Sequence, residues 1–181
     1  MTLRFVDFAE LSADQRLEAA RVLRDAFAER PEAFGESADE EVESFLTDQD
    51  RAAFAAVEDG QVLGWIGRVA SYEHAWELHP LAVAPARQRQ GIGATLTREL
   101  ERRARAAGVL TLYLGTDDEY GGTSLYGAEL YPDVAGKIAG VTATAKGHAF
   151  AFYQRLGYEI VGLIPDANGP GKPDIWMAKR L

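Results

Sequence analysis

The apolar positions of this chain change period several times, and each change marks an element. Residues 2–8 alternate apolar and polar side chains, as a strand does. Ser12-Ala13-Asp14-Gln15 has the form of a capping box. It opens a helix that carries Leu17, Ala20, Leu23 and Phe27 inward. Pro31 and Gly35 break that helix. Ser37-Ala38-Asp39-Glu40 repeats the capping-box form ahead of a short helix with Val42, Phe45 and Leu46 on one side. Residues 29–36, between the two helices, are polar and irregular, the sort of loop that covers a site. Residues 52–57 and 62–70 are apolar runs joined by Glu58-Asp59-Gly60-Gln61, whose Asp-Gly pair predicts a hairpin.

The pattern sharpens between residues 76 and 108. In Trp76-Glu77-Leu78-His79-Pro80-Leu81-Ala82-Val83, the set Glu77, His79 and Leu81 alternates with Leu78, Pro80 and Ala82, so the two sets face opposite ways along a strand. Arg87-Gln88-Arg89-Gln90-Gly91-Ile92-Gly93 is a basic, glycine-punctuated turn. It leads into a helix with Ile92, Leu96, Leu100 and Ala104 at helical spacing and Gly108 as its C-terminal cap. A strand at residues 109–114 completes a βαβ unit and is expected to lie parallel to the first. Residues 120–146 are glycine-rich and weakly periodic. A structureless loop of that length is unusual, so a hidden helix or strand is expected. Residues 148–156 read as a helix closed by Gly157, and residues 158–164 and 175–179 as a terminal hairpin.

Composition narrows the class without naming it. A chain of 181 residues is most simply one domain spanning residues 1–181, and 47% hydrophobic with 26% charged residues is ordinary for a soluble globular protein. No apolar run approaches the roughly 20 residues of a membrane span, and the N-terminus lacks the apolar stretch of a signal peptide, so a cytoplasmic protein with no membrane partner is expected. Without cysteine there is no disulfide, thiolate metal site or cysteine nucleophile, and His74, His79 and His148 have no metal-ligand spacing, so no metal is expected. Lys plus Arg number 19 against 28 Asp plus Glu, a net charge of −9. That excludes a general nucleic-acid binder and either favours cationic partners or simply keeps the protein soluble.

Strand, glycine turn and helix N-terminus make an anion site, because free amides and the positive end of the helix dipole attract phosphate. A mononucleotide P-loop would require Gly-Lys-Ser/Thr, but Ala94 and Thr95 follow Gly93. A dinucleotide site would want a third glycine where Leu96 stands, and the fold's first strand here. A third reading fits. Gln88-Arg89-Gln90-Gly91-Ile92-Gly93-Ala94, behind Leu81-Ala82-Val83, resembles the acyl-coenzyme A signature of the GNAT N-acetyltransferases. The order of elements is similar throughout. The resemblance implies an α/β (α+β) GNAT fold, a mixed central sheet of about six to seven strands flanked by helices. It also implies acetyl-CoA as cosubstrate, held by Leu81, Ala82, Val83, Gln88, Arg89, Gln90, Gly91, Ile92, Gly93, Ala94, Thr95, Thr116 and Tyr153. Arg87 and Arg89 can add charge-assisted bonds to the phosphates, one of the two being expected to stay a solvated charge.

Longer blocks narrow the resemblance. The strand at residues 76–81, Tyr113-Leu114-Gly115-Thr116-Asp117-Asp118, Phe152-Tyr153-Gln154-Arg155-Leu156-Gly157-Tyr158 and Lys172-Pro173-Asp174-Ile175-Trp176-Met177-Ala178-Lys179 look like the small, dimeric aminoglycoside 6′-N-acetyltransferases. The implied reaction is acetyl transfer to the 6′-amine of a polycationic aminoglycoside by direct attack in a ternary complex, in a homodimer. The alternatives are a GNAT for another small amine or a protein N-terminus, or a non-catalytic acyl-CoA-binding module.

Amine acetylation needs a neutral nucleophile, a polarised thioester carbonyl and a route for the leaving thiolate. Glu77 can anchor an ammonium and take its proton, directly or through water; otherwise it is a surface carboxylate. His79 can orient Glu77 or the acceptor, or serve as a structural histidine. The resemblance gives the Leu81 backbone N–H an oxyanion-hole role and places Tyr153 near the departing sulfur, the alternative for Tyr153 being core packing. Asp117, Asp118, Glu119 and Asp174, the carboxylates Glu32 and Glu36 of the covering loop, and Tyr72 are the expected acceptor contacts.

Overall fold

The structure, a computed structural model, describes residues 3–29 and 34–181. Pro31, the expected helix breaker, and Glu32 lie outside the described residues. The chain divides into two compact units, the residues up to Leu110 together with Leu181, and Thr111–Arg180. Among the described residues there are seven strands and five α-helices, the α/β class expected.

The first unit is built on four strands, β1 (Arg4–Asp7), β2 (Arg51–Glu58), β3 (Gln61–Val69) and β4 (Ala75–Val83), each antiparallel to the next. Its helices are α1 (Ala13–Ala26), α2 (Ala38–Thr47) and α3 (Ile92–Ala106). The Asp-Gly hairpin forms as expected. Asp59 and Gly60 both have positive φ, 50° and 84°, the pair of conformations that suits a two-residue turn to the strand twist. Trp65 of β3 is fully buried, with the Phe8 and Phe45 rings 4.9 and 5.6 Å away, and its indole Nε1–H donates to the Ala19 carbonyl at 2.9 Å.

Two local expectations are corrected. Ser12 and Gln15 form the capping box, but Leu17 is 64% exposed and not inward. Ala20 and Leu23 are buried as expected, and the small Ala19, whose carbonyl takes the Trp65 bond, and Val22 join them inside in place of Leu17. Ser37 makes no side-chain cap. Its φ of −95° and ψ of 4° are turn-like, whereas an N-cap side chain reaches the next turn from an extended backbone.

The second unit holds β5 (Thr111–Asp117), α4 (Val134–Ala139), α5 (Ala149–Arg155), β6 (Glu159–Ile164) and β7 (Asp174–Arg180). β7 lies between β5 and β6, antiparallel to both. Leu112, Leu114, Ile175 and Met177 are buried on one side of this ribbon. β5 runs three residues further than its apolar run suggests, so Thr116 and Asp117 are strand residues rather than loop. The element expected within residues 120–146 is α4, whose Asp133 side chain accepts from the Gly136 N–H; a lone bridge pairs Thr123 with Ala143.

Candidate active site

In the first unit the site is set by an interruption in a ladder. Ile66 of β3 pairs with Leu81 of β4, but Arg68 pairs with Leu78. Two steps on β3 therefore oppose three on β4, and the extra residue falls at His79-Pro80. Proline cannot donate to a ladder, so it is tolerated in a strand interior only at such a bulge. Gly67 stands opposite. A Cβ there would collide with the His79 carbonyl oxygen and the Phe45 ring, so only glycine lets β4 bulge this close. Along β4, Glu77, His79, Leu81 and Val83 are half-buried while Leu78, Pro80 and Ala82 are buried, the alternation expected.

Among the described residues no hydrogen bond or ion pair engages the Glu77 carboxylate. His79 does not orient Glu77. Its Nε2 lies 3.4 Å from Glu41 Oε1 on α2, and its ring sits 5.8 Å from that of Phe34. The same Glu41 oxygen takes Arg51 Nη1 at 3.0 Å. Burial works against charge on Glu41, but His79 and Arg51 outweigh it and hold the carboxyl below its ordinary range. Sequence reading missed this trio because Glu41 looks like any acid in a first helical turn. The interior proline of β4 was the one available signal for the bulge.

The glycine turn fits an anionic group. Gly91 has φ 87°, a left-handed conformation that favours glycine, and no side chain caps α3. Thr95 N–H makes the bond to Gly91 O at 3.0 Å, which leaves the amides of Ile92, Gly93 and Ala94 ahead of the helical ladder. The side chains around them shape the turn. Gln88 Nε2 donates to Val83 O, Gln90 Nε2 to Ala86 O, and Thr95 Oγ1 to Gly91 O. Arg87 is tied to Glu58 at 2.9 Å, whereas Arg89 is exposed with φ 58° and has no ion pair among the described residues. Backbone amides with Arg89 thus make a donor set suited to a pyrophosphate.

In the second unit Asp117 and Asp174 are direct cross-strand partners at the end of the β5–β7 ribbon. Asn168 Nδ2 donates to Asp117 Oδ1 at 2.6 Å, and Trp176 Nε1 donates to Asp174 Oδ2 at 2.6 Å. Trp176 in turn stacks on Tyr113, centroids 5.8 Å apart at 10°. Two carboxylates beside an aromatic pair form a face suited to a polyamine. Gly115 lies among them; a Cβ there would press on the Asp174 carboxylate at 2.8 Å.

Asp118 does not share that face. Its carboxylate is fully buried and accepts from the N–H groups of Gly121, Gly122 and Thr123 and from the Thr123 hydroxyl, at 2.7–3.0 Å. Burial disfavours its charge, but these donors win and lower its pKa. Asp118 therefore nucleates the loop and is withdrawn from the acceptor contacts. Thr116 is buried, with Oγ1 donating to Ile175 O at 3.1 Å, so its hydroxyl serves the β5–β7 ribbon. Glu119 is half-buried, and Glu36 and Tyr72 of the first unit are exposed. Tyr153 on α5 is 7% exposed, edge-on to the rings of Phe152 and Tyr158, and burial pushes its hydroxyl pKa well up. No group of three or more His, Cys, Asp or Glu among the described residues could hold a metal, and no helix among them is long and apolar enough to cross a membrane.

The sequence matches the Acetyltransferase (GNAT) family over residues 19–126. A search of curated proteins finds no match. Among solved structures, an aminoglycoside 6′-N-acetyltransferase complexed with coenzyme A is 39% identical, covering 98% of this chain and 96% of that one, at a TM-score of 0.89. The aminoglycoside 6′-N-acetyltransferase from Enterococcus faecium is 38% identical over 99% and 97%, at 0.87. An aminoglycoside 6′-acetyltransferase type Ii is 34% identical over 99% and 97%, at 0.73. The chain belongs to the GNAT acetyltransferases, a family that uses acetyl-CoA.

Proposed function

We propose that this acetyltransferase transfers an acetyl group to the 6′-amine of aminoglycosides. The observation that carries the reading is the near-full-length similarity, at 34–39% identity, to three structures of aminoglycoside 6′-acetyltransferases. The paired Asp117 and Asp174 beside Trp176 and Tyr113 support it, since a polycationic sugar needs carboxylates and flat apolar faces together.

Acetyl-CoA supplies an acyl carbon activated as a thioester; the amine nitrogen bonds to that carbon as the carbon–sulfur bond breaks. The Gln88–Ala94 turn holds the pyrophosphate through its amides and Arg89. Glu77 anchors the incoming ammonium and takes its proton, directly or through a water, which frees the nitrogen lone pair. The Leu81 N–H donates to the thioester oxygen as negative charge grows there. Tyr153 donates a hydrogen bond to the departing sulfur. Its pKa lies above the ordinary value of about 10, and an alkyl thiol's is about 8.5, so full proton transfer from this phenol to thiolate is uphill. The phenol stabilises the thiolate as a donor and the proton arrives from solvent or the amine. With no cysteine in the chain, direct attack in a ternary complex replaces an acyl-thiol enzyme. We propose further that the working form is a homodimer, as the family resemblance implies, and that it acts in the cytoplasm.

Thiol release from acetyl-CoA, followed with kanamycin, spermidine and a peptide as acceptors, tests the reading. We expect turnover with kanamycin and, by NMR, the acetyl group on the 6′ nitrogen. Turnover with spermidine or peptide alone would overturn the acceptor assignment; turnover with none would overturn catalysis itself.

A further inference from the structure

We propose that His148 is a positioning residue that ties the backbone carbonyl of the acceptor residue Asp117 to the helix bearing Tyr153. The inference rests on the reading of those two residues given above. His148 is the N-cap of α5 and is 7% exposed. Its Nδ1 accepts from the Phe150 N–H at 3.2 Å, and its Nε2 lies 3.1 Å from the Asp117 carbonyl oxygen. An amide N–H can only donate and a carbonyl oxygen can only accept. The two partners therefore select the neutral ring with its proton on Nε2, and both ring nitrogens are used.

The choice of residue is informative. A helix cap alone is made best by Ser, Thr, Asp or Asn, whose oxygen reaches the second or third amide of the helix. Those side chains are too short to bond a neighbouring strand at the same time. Imidazole has two polar atoms on opposite sides of a rigid ring, and here one grips α5 while the other grips the last residue of β5. The ring's plane is held by Tyr120, stacked at 6.0 Å and 24°, and by Phe150 at 5.6 Å. α5 has only seven residues, too few to hold its place by helix propensity, so its anchorage at the ends decides where Tyr153 stands. Asp117 presents its side chain to Asn168 from the same residue whose carbonyl His148 holds. One imidazole thus fixes the register between a group for the acceptor and a group for the leaving thiolate.

Two variants separate bridging from capping. His148→Asn keeps an N-cap oxygen for the Phe150 amide but cannot reach the Asp117 carbonyl; His148→Ala loses both. For His148→Asn we expect the KM for kanamycin to rise roughly fivefold to tenfold, as for one lost hydrogen bond, with kcat near wild type because the cap is kept and a thermal midpoint lowered by a few degrees. For His148→Ala we expect the same rise in KM together with a fall in kcat. A wild-type KM in His148→Asn would overturn the bridge and leave a plain cap. The ring is also read without any acceptor: long-range ¹H–¹⁵N spectra of the free protein should show His148 protonated on Nε2 and bare on Nδ1. An Nδ1–H tautomer there would overturn the inference whatever amine the enzyme takes, whereas failure of kanamycin turnover alone would count against the acceptor reading only.

Discussion

At the scale of single residues, the acids of this chain divide by what already holds them. Asp118 is saturated by four donors and shapes a loop, Glu41 is shared between His79 and Arg51, and Asp117 is gripped by Asn168. The Glu77 carboxylate has no such partner among the described residues, although its strand carries it in a half-buried position. A carboxylate held ready in this way is what an incoming ammonium needs. Glu77→Gln keeps the shape and removes both the charge and the proton acceptor. We expect kcat/KM for kanamycin to fall by about a hundredfold or more, the usual worth of a positioned base, with acetyl-CoA binding unchanged by calorimetry. An unchanged kcat/KM would remove Glu77 from both roles. Glu77 was legible in the sequence as one of a spaced pair on a strand face. Asp118 was misread because a carboxylate that caps a loop and one that binds a ligand are written with the same letter, and only the folded loop shows which amides converge on it.

At the scale of elements, the important feature is a flaw in regularity. β3 and β4 are ordinary antiparallel neighbours until the extra residue at His79-Pro80 turns the strand. The bulge is possible because Gly67 has no Cβ to meet the His79 carbonyl and the Phe45 ring. Gly67→Ala puts a methyl group into both. We expect a loss of about 1–3 kcal/mol in denaturant unfolding, as for other overpacked interiors, and a fall in kcat as the bulge is displaced. Full stability in that variant would mean that the strand pair has room the structure does not show. The elements themselves followed from pattern wherever their periodicity was strong, as in α3 and the Asp-Gly hairpin. The seating of α1 did not, because its face was chosen by Trp65 from the other side of the core.

At the scale of the molecule, net charge and pH act through many groups at once. Hydrogen bonds from Arg102, and then from Arg103, hold Glu99 at about 2 despite partial burial, against its ordinary 4.5. Glu41 and Asp118 are also lowered, one in each unit. A carboxyl whose folded pKa is depressed contributes stability above its unfolded pKa and loses it as pH falls through the folded value. Below about pH 4.5 the unfolded chain therefore takes up more protons than the folded one. The thermal midpoint is expected to drop steadily from pH 5 toward pH 2.5. In Glu99→Gln, the decline should be shallower. A midpoint that stays flat from pH 5 to pH 3 would show that these ion pairs and loop bonds contribute nothing net.

The sequence by itself determined the class of fold, the glycine turn that opens α3 and the strand face that carries Glu77 and His79. These depend on local period, on glycine and proline, and on short-range spacing, all of which are written in order along the chain. Only the tertiary structure decided which groups meet across distance: Glu41 with His79, Asp117 with Asp174, Gly67 with the bulge, and His148 with both a strand end and a helix start. Such pairings depend on how separate elements pack, and packing is chosen by shape and hydrogen-bond satisfaction over the whole core. No single stretch of the chain holds that information.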